Sequence, residues 1–257
     1  MSVIKIADNG GHAITMTSFD GYHIASFSPP DILREIFNNI PHLKCRHDDV
    51  FVCAPLKSGT HWTWEIVSML LNGNAEIILK SKMTLMLEAV PNEVIDGAPS
   101  PRVLNSHLHL SRLPREALEK KCKIVFILRD PRDVAVSLYH HCEGVLKHEY
   151  HGLFENFLPL FLEGKLMYNN YLDYVVEWEK AMEERSEIHL IYYEDLKTVY
   201  SLTCLFSFRL VCFNVFFLLE FLVHFFSRKT KINLEVRKQL CTFNPKLCLF
   251  FITIATL

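Results

Sequence analysis

None of the nine glycines among the 257 residues lies beyond Gly164. No later segment can therefore approach a bound anion through an unhindered backbone. Acidic side chains thin out in the same region: from Tyr200 onward only Glu220 and Glu235 face seven Lys/Arg. The eight cysteines, at 45, 53, 122, 142, 204, 212, 241 and 248, include no Cys-x-x-Cys pair. That spacing excludes a zinc ribbon or dithiol redox motif and reads as reduced, mostly buried thiols of a cytoplasmic protein. A formal net charge of −2 excludes a general polyanion binder, so no nucleic-acid partner is expected and any anion affinity must be local. The N-terminus, Met1 to Asp8, lacks the apolar core of a signal peptide. Long apolar runs are also missing. Leu202 to Phe226 is broken by Arg209, Asn214, Glu220 and His224, and its longest charge-free piece, Leu210 to Leu219, is short of a span of about 20 residues. A buried helix or an aberrant ending is the expectation there, and no membrane anchor. No tight metal-ligand pattern occurs; His148-x-x-His151 reads as a solvated pair in a polar loop, and no metal is expected.

What the chain does have is 50% apolar and 22% charged residues, enough for one sizeable core. Its most informative run is Pro55-Leu-Lys-Ser-Gly-Thr-His-Trp62, preceded by the apolar Val50-Phe-Val-Cys53 and followed by helical periodicity, with Trp62, Ile66, Met69 and Leu70 as one face. A strand, a tight turn bearing lysine and glycine, and a helix make an anion site: amides at the helix start, close approach at Gly59, a charge at Lys57, hydroxyls at Ser58 and Thr60. The lysine precedes Ser-Gly-Thr, unlike the nucleotide-binding loop in which it follows the last glycine. An ordinary strand-to-helix turn with a chance lysine is the alternative.

Three further strand-to-helix units follow. Arg102-Val-Leu-Asn105 precedes His107 and a short helix from about Pro114. Lys123 to Leu128 is a buried strand ending in Arg129-Asp-Pro-Arg-Asp133, after which Val134, Val136 and Leu138 enter a helix. Ile188 to Tyr193 is a strand ahead of a helix start at Glu194-Asp195, and Leu166 to Glu184 is helical. Residues 1–49 read as a covering segment with one helix near Pro30 to Phe37. The alternation predicts an α/β fold: a single domain with a mainly parallel central sheet flanked by helices and a phosphate-binding, P-loop-like strand-loop-helix. Ligands bind beyond the carboxyl ends of such strands, where Lys57, His107, Arg129 and Tyr193 all fall.

These residues resemble the cytosolic sulfotransferase family. Lys57-Ser-Gly-Thr-His-Trp62 is similar to the family's Lys-Ser-Gly-Thr-Thr-Trp. Arg129-Asp-Pro-Arg-Asp-Val-Ala-Val-Ser137 fits its Arg-x-x-x-Asp-x-x-x-Ser. Ser106-His107-Leu108 fills the place of its histidine run, and Tyr193-Glu-Asp-Leu-Lys197 that of its Tyr-Glu-Asp-Met/Leu-Lys. The resemblance covers about residues 18–199. It implies transfer of a sulfuryl group from 3′-phosphoadenosine 5′-phosphosulfate (PAPS), a co-substrate, to a hydroxyl or amine of a small hydroxylated or phenolic acceptor, without a metal. It implies His107 as general base and Lys57 on the leaving oxygen. It further implies the 5′-phosphate on the loop from Ser58 to His61, Arg129 and Ser137 on the 3′-phosphate, and Trp62 and Tyr193 beside adenine. Each of these has a plainer alternative: Arg129 pairing with Asp130 or Asp133, Ser137 as an ordinary helix serine, the two aromatics as core.

The sequence also departs from the family. Pro55-Leu56 replaces Tyr-Pro, His61 replaces a threonine, and Asn105 stands where a lysine often lies two before the histidine. The C-terminal Arg-Lys-Gly motif, the Gly-x-x-Gly-Asp-Trp-Lys segment and the dimerisation segment have no counterpart between Tyr200 and Leu257, which leaves the oligomeric state open. Residues 1–199 are thus read as a sulfotransferase-like domain and 200–257 as a divergent hydrophobic tail. The competing expectation is a catalytically impaired relic that serves as a binding or regulatory protein. Phe19, Tyr22, Tyr139, His140 and Phe157 are candidates for an aromatic acceptor pocket.

Overall fold

The computed structural model describes residues 1–26, 28–73 and 81–197. The predicted boundary at 199 and the tail from 200 lie outside the described residues. The N-terminal stretch is a three-stranded antiparallel meander, β1 (Ser2–Ala7), β2 (Ala13–Phe19) and β3 (Tyr22–Ile24), followed by α1 (Pro30–Asn39). Where the sequence predicts only a cover with one helix, turns at Asn9-Gly10-Gly11 and Asp20-Gly21 close two hairpins. Asp20 (φ 49°) and Gly21 (φ 79°) both take the left-handed conformation that a two-residue hairpin turn requires. Pro30 opens α1, as expected.

The central elements follow in order: β4 (Val50–Cys53), α2 (Thr60–Asn72), α3 (Asn92–Asp96), β5 (Val103–Ser106), α4 (Arg115–Glu119), β6 (Lys123–Leu128), α5 (Pro131–Gly144), α6 (Phe154–Leu162), α7 (Tyr171–Glu184) and β7 (Ile188–Tyr192). The predicted parallel sheet is present, with strand order β5-β4-β6-β7. Every residue of β4 and β5 is buried, as expected for strands covered on both faces. Phe126 of β6 stacks on Trp178 of α7, ring centroids 4.7 Å apart, and Tyr174 completes that layer. Residues 166–170 are not helical; Asn170 caps α7 by accepting from the Leu172 and Asp173 amides, so the helix begins later than the sequence predicts.

At the amino ends of β4 and β5 a fully buried ion pair ties the two strands together: Arg102 donates to Asp49 at 2.6 and 2.7 Å. At the carboxyl ends the chain order reverses. The connection from β4 runs to one side, to β5, and that from β6 to the other, to β7. The crevice between the ends of β4 and β6 is therefore the topological switch point, where open α/β sheets bind ligands.

Candidate active site

The β4–α2 turn carries the first group of candidate residues. Gly59 is the N-cap of α2 with φ +99°, and a Cβ there would lie 2.5 Å from the Tyr193 ring, so both backbone and space demand glycine. Thr63 N–H donates to Gly59 O, leaving the amides of Gly59, Thr60 and His61 ahead of the helical ladder. Ser58 and Thr60 are buried, yet Ser58 Oγ and Thr60 Oγ1 have no hydrogen-bond partner. Orphaned hydroxyls beside helix-start amides suit phosphate oxygens. Lys57 is half-buried, and burial together with the Arg129 charge lowers its pKa. His61 is exposed on the outer side of this turn.

The helix buries a different face from the predicted one. Thr63, Trp64, Val67 and Ser68 face the interior, and Trp64 Nε1 donates to Val103 O; Trp62, Ile66, Met69 and Leu70 are only half-buried. Apolar spacing pointed to the wrong stripe because two hydroxyl residues occupy the inner one.

His107 follows β5, buried beside that turn. Its Nδ1 lies 2.8 Å from Ala54 O, its backbone N–H donates to Glu88 Oε1 at 2.6 Å, and Tyr168 sits edge-on to its ring at 5.6 Å. Burial first, and then the Lys82 charge, hold its pKa well below the usual histidine value. The imidazole is therefore neutral near pH 7, with Nε2 as the lone-pair nitrogen. Glu88 is itself fully buried, which pushes its carboxyl up to about 7 against the opposing hydrogen bond from His107.

Arg129 ends β6. Its Nη1 donates to Lys57 O at 2.9 Å across the switch point, its guanidinium lies 4.4 Å over the Tyr193 ring, and its Nε is buried without a partner. Asp133 approaches at 3.8 Å, whereas Asp130 is taken by Arg132 at 2.7 Å and caps α5. Tyr171 fixes the Arg129 carbonyl at 2.7 Å. Ser137 is half-buried on α5, one turn beyond Asp133. Trp62 and Tyr193 meet edge to face at 5.9 Å. Lys57, Ser58, Gly59, Thr60, Trp62, Arg129 and Tyr193 thus form one connected cluster through direct contacts or chain adjacency, and His107 joins it through Ala54.

The candidate pocket aromatics divide. Tyr22 is buried against His109 (5.7 Å) and against Tyr168 (6.1 Å), the ring that meets His107. Tyr139 and Phe157 pack with Tyr150 and Phe154 in a separate layer, Phe19 packs on Phe37, and His140 is an exposed side chain near Glu143. His148, read as solvated, is buried with Nδ1 3.2 Å from Thr15 O; Thr15 lies in β2, whose placement over this loop the sequence did not reveal. Among the described residues no group of three or more His, Cys, Asp or Glu is placed to hold a metal ion. No helix among them is long and apolar enough to cross a membrane.

Glu88, Lys82 and Tyr168 are site residues that the sequence did not single out. Lys82 Nζ lies 3.4 Å from His107 Nε2. Tyr168 has φ +63° and donates its backbone N–H to His23 O at 2.7 Å, so the N-terminal meander helps hold it against His107. No local pattern marks these residues; only the left-handed stretch at Tyr168-Asn169 coincides with an asparagine turn signal.

The Sulfotransferase domain family model matches residues 47–200, which include this whole cluster. Mouse Sulfotransferase 1B1 is 36% identical over 160 residues, covering 58% of this chain and 53% of that protein. Human Sulfotransferase 6B1 is 33% identical over 166 residues, covering 63% and 54%. The chain thus spans about half the length of these curated relatives. Among solved structures, mouse sulfotransferase SULT7A1 complexed with PAP is similar with a TM-score of 0.61 at 25% identity, over 77% of this chain and 70% of that one. An Arabidopsis thaliana putative steroid sulphotransferase shares the fold (TM-score 0.61, 23% identity, 93% and 87% covered).

Proposed function

The chain belongs to the sulfotransferase family, and from that premise we propose that it moves a sulfuryl group from PAPS to a hydroxyl of a small, phenolic or otherwise hydroxylated acceptor in the cytoplasm. The observation that carries this reading is the pinned His107: Nδ1 is committed to Ala54 O, so Nε2 presents its lone pair beside the lysine-bearing turn. An acceptor hydroxyl is a weak nucleophile until a base takes its proton, and a neutral imidazole suits that role near pH 7. In the proposed step the acceptor oxygen bonds to sulfur as its proton passes to His107 Nε2. The bond from sulfur to the bridging oxygen breaks, and its electron pair stays on the 5′-phosphate, giving PAP and a sulfate ester. Lys57 meets the charge growing on that oxygen.

The co-substrate fits the residues present. The orphaned Ser58 and Thr60 hydroxyls and the first α2 amides suit the 5′-phosphate, while the unpartnered Arg129 Nε, with Ser137, suits the 3′-phosphate. Trp62 and Tyr193 offer aromatic surface for adenine, and Tyr22 and Tyr168 line the acceptor side of His107. The cytoplasmic assignment is supported by Cys45, Cys53, Cys122 and Cys142, all buried free thiols. Titration calorimetry of the full chain with PAP, followed by radiolabelled sulfuryl transfer from PAPS to a panel of simple phenols and alcohols, tests the proposal. Binding and transfer are expected; no heat at millimolar PAP would overturn it.

A further inference from the structure

Lys82 lies outside every motif that carries the family resemblance, yet its ammonium is at the reacting centre. It opens a short 3₁₀ turn over residues 82–85, capped by Ser81 Oγ, which accepts from Met83 N–H. The fully buried Asn105 holds it twice: Asn105 Nδ2 donates to Lys82 O at 2.8 Å, and Lys82 Nζ lies 3.5 Å from Asn105 Oδ1. From that grip Nζ comes within 3.4 Å of His107 Nε2. Because Nδ1 is committed to Ala54, Nε2 accepts and the ammonium donates.

We propose that Lys82 is a second transfer lysine, which covers the lone pair of His107 in the geometry seen here and turns onto a sulfuryl oxygen when the phosphosulfate is bound, releasing Nε2 for the acceptor hydroxyl. This rests on the sulfotransferase reading above. A contact of 3.4 Å is at the weak end of the hydrogen-bond range, and a charge-assisted bond to a sulfuryl oxygen is shorter and stronger, so the exchange is favourable. The flexible four-carbon stem allows it. Lys82 and Lys57 are both half-buried and repel each other, and burial lowers the pKa of both. Two confined like charges are relieved by an arriving anion. Lys82 loses and gains no proton in the step; it neutralises charge on the equatorial oxygens while Lys57 serves the leaving oxygen. The titratable groups acting on His107 are Lys82, Lys57 and His141, the last held down to about 4 by burial, with Glu88 on the His107 backbone N–H.

Two measurements on the full chain test this. In nitrogen-15 NMR without ligand, Lys82→Met is expected to raise the His107 titration midpoint by about one pH unit, as loss of a neighbouring positive charge requires, and Lys82→Arg to raise it less. In calorimetry, Lys82→Met should weaken PAPS at least about tenfold while leaving PAP unchanged, because only PAPS carries the sulfuryl oxygens. An unmoved His107 midpoint, or equal loss for PAP and PAPS, overturns the proposal. If Lys82→Met does not fold, the parent decides: its Lys82 ammonium resonance, assigned by difference with Lys82→Arg, must shift with PAPS and not with PAP. A parent that binds neither nucleotide overturns the sulfotransferase reading and the loaded half of this proposal with it, and the ligand-free titration still decides the Lys82–His107 pairing.

Discussion

His107 Nδ1 lies 2.8 Å from the carbonyl oxygen of Ala54, the residue that follows β4. A carbonyl only accepts, so this contact fixes the tautomer and leaves the lone pair on Nε2. The end of one strand thereby sets the chemistry of the residue at the end of its neighbour.

Replacing His107, the proposed base, should remove the chemical step and spare binding. His107→Ala is expected to lower single-turnover sulfuryl transfer by about 10²–10⁴-fold, with PAP affinity little changed, since the imidazole acts on the acceptor. The lowered pKa of His107 also predicts that the parent rate persists as pH falls through 6.5, the ordinary histidine value. Turnover by His107→Ala close to that of the parent would remove His107 from the mechanism.

Glu88 makes stability depend on pH. Its carboxyl rises from 4.5 to about 7 on folding, so its contribution is fully present below the unfolded value and is lost as pH rises through about 7. Glu88→Gln keeps an oxygen for the His107 N–H and removes the ionisation. The variant should gain on the parent by up to about 3 kcal/mol between pH 4.5 and pH 8. Urea unfolding at those two values measures the gain; an identical difference between the proteins at both would contradict it.

At Gly59 a methyl group meets both a left-handed backbone and the Tyr193 ring at 2.5 Å. Gly59→Ala is expected to cost about 1–2 kcal/mol in backbone conformation alone and to push Tyr193 aside. PAP affinity should fall at least about tenfold, with circular dichroism unchanged. Parent-like affinity would show that the turn does not cradle the phosphate.

Arg129 should govern recognition of the 3′-phosphate. Arg129→Ala is expected to reduce the preference for PAP over adenosine 5′-monophosphate by about tenfold or more, the loss of a charge-assisted contact. Competition binding reads this directly, and an unchanged preference would assign Arg129 to holding the Lys57 carbonyl alone.

The buried Asp49–Arg102 pair lies at the opposite end of the sheet from the site. Asp49→Asn removes the closer, fully buried carboxylate from the Arg102 guanidinium and leaves only Asp96, at 3.3 Å, so it should destabilise the fold by about 3–5 kcal/mol. Below the melting temperature of the variant, PAP affinity should stay at the parent value. A smaller loss of stability would mean that Lys44 O, Ile95 O and Asp96, the other acceptors of Arg102, suffice.

The parallel sheet, the phosphate-type turn and the residues at the strand ends can all be read from the sequence alone. Those features are local: buried strands are short apolar runs, Gly59 and Pro131 punctuate the backbone, and Asp130 caps its own helix. The two N-terminal hairpins went unpredicted although Asn9-Gly10-Gly11 and Asp20-Gly21 mark their turns, because alternation in β2 is masked where both of its faces are largely buried. The surroundings of His107 come from long-range packing. Ala54 is 53 residues away in sequence, Lys82 25 and Glu88 19, and no periodicity connects them. The neutral His107 imidazole and the raised Glu88 carboxyl depend on desolvation and charge proximity. Both arise when the parallel register brings the ends of β4 and β5 and the 82–88 segment together.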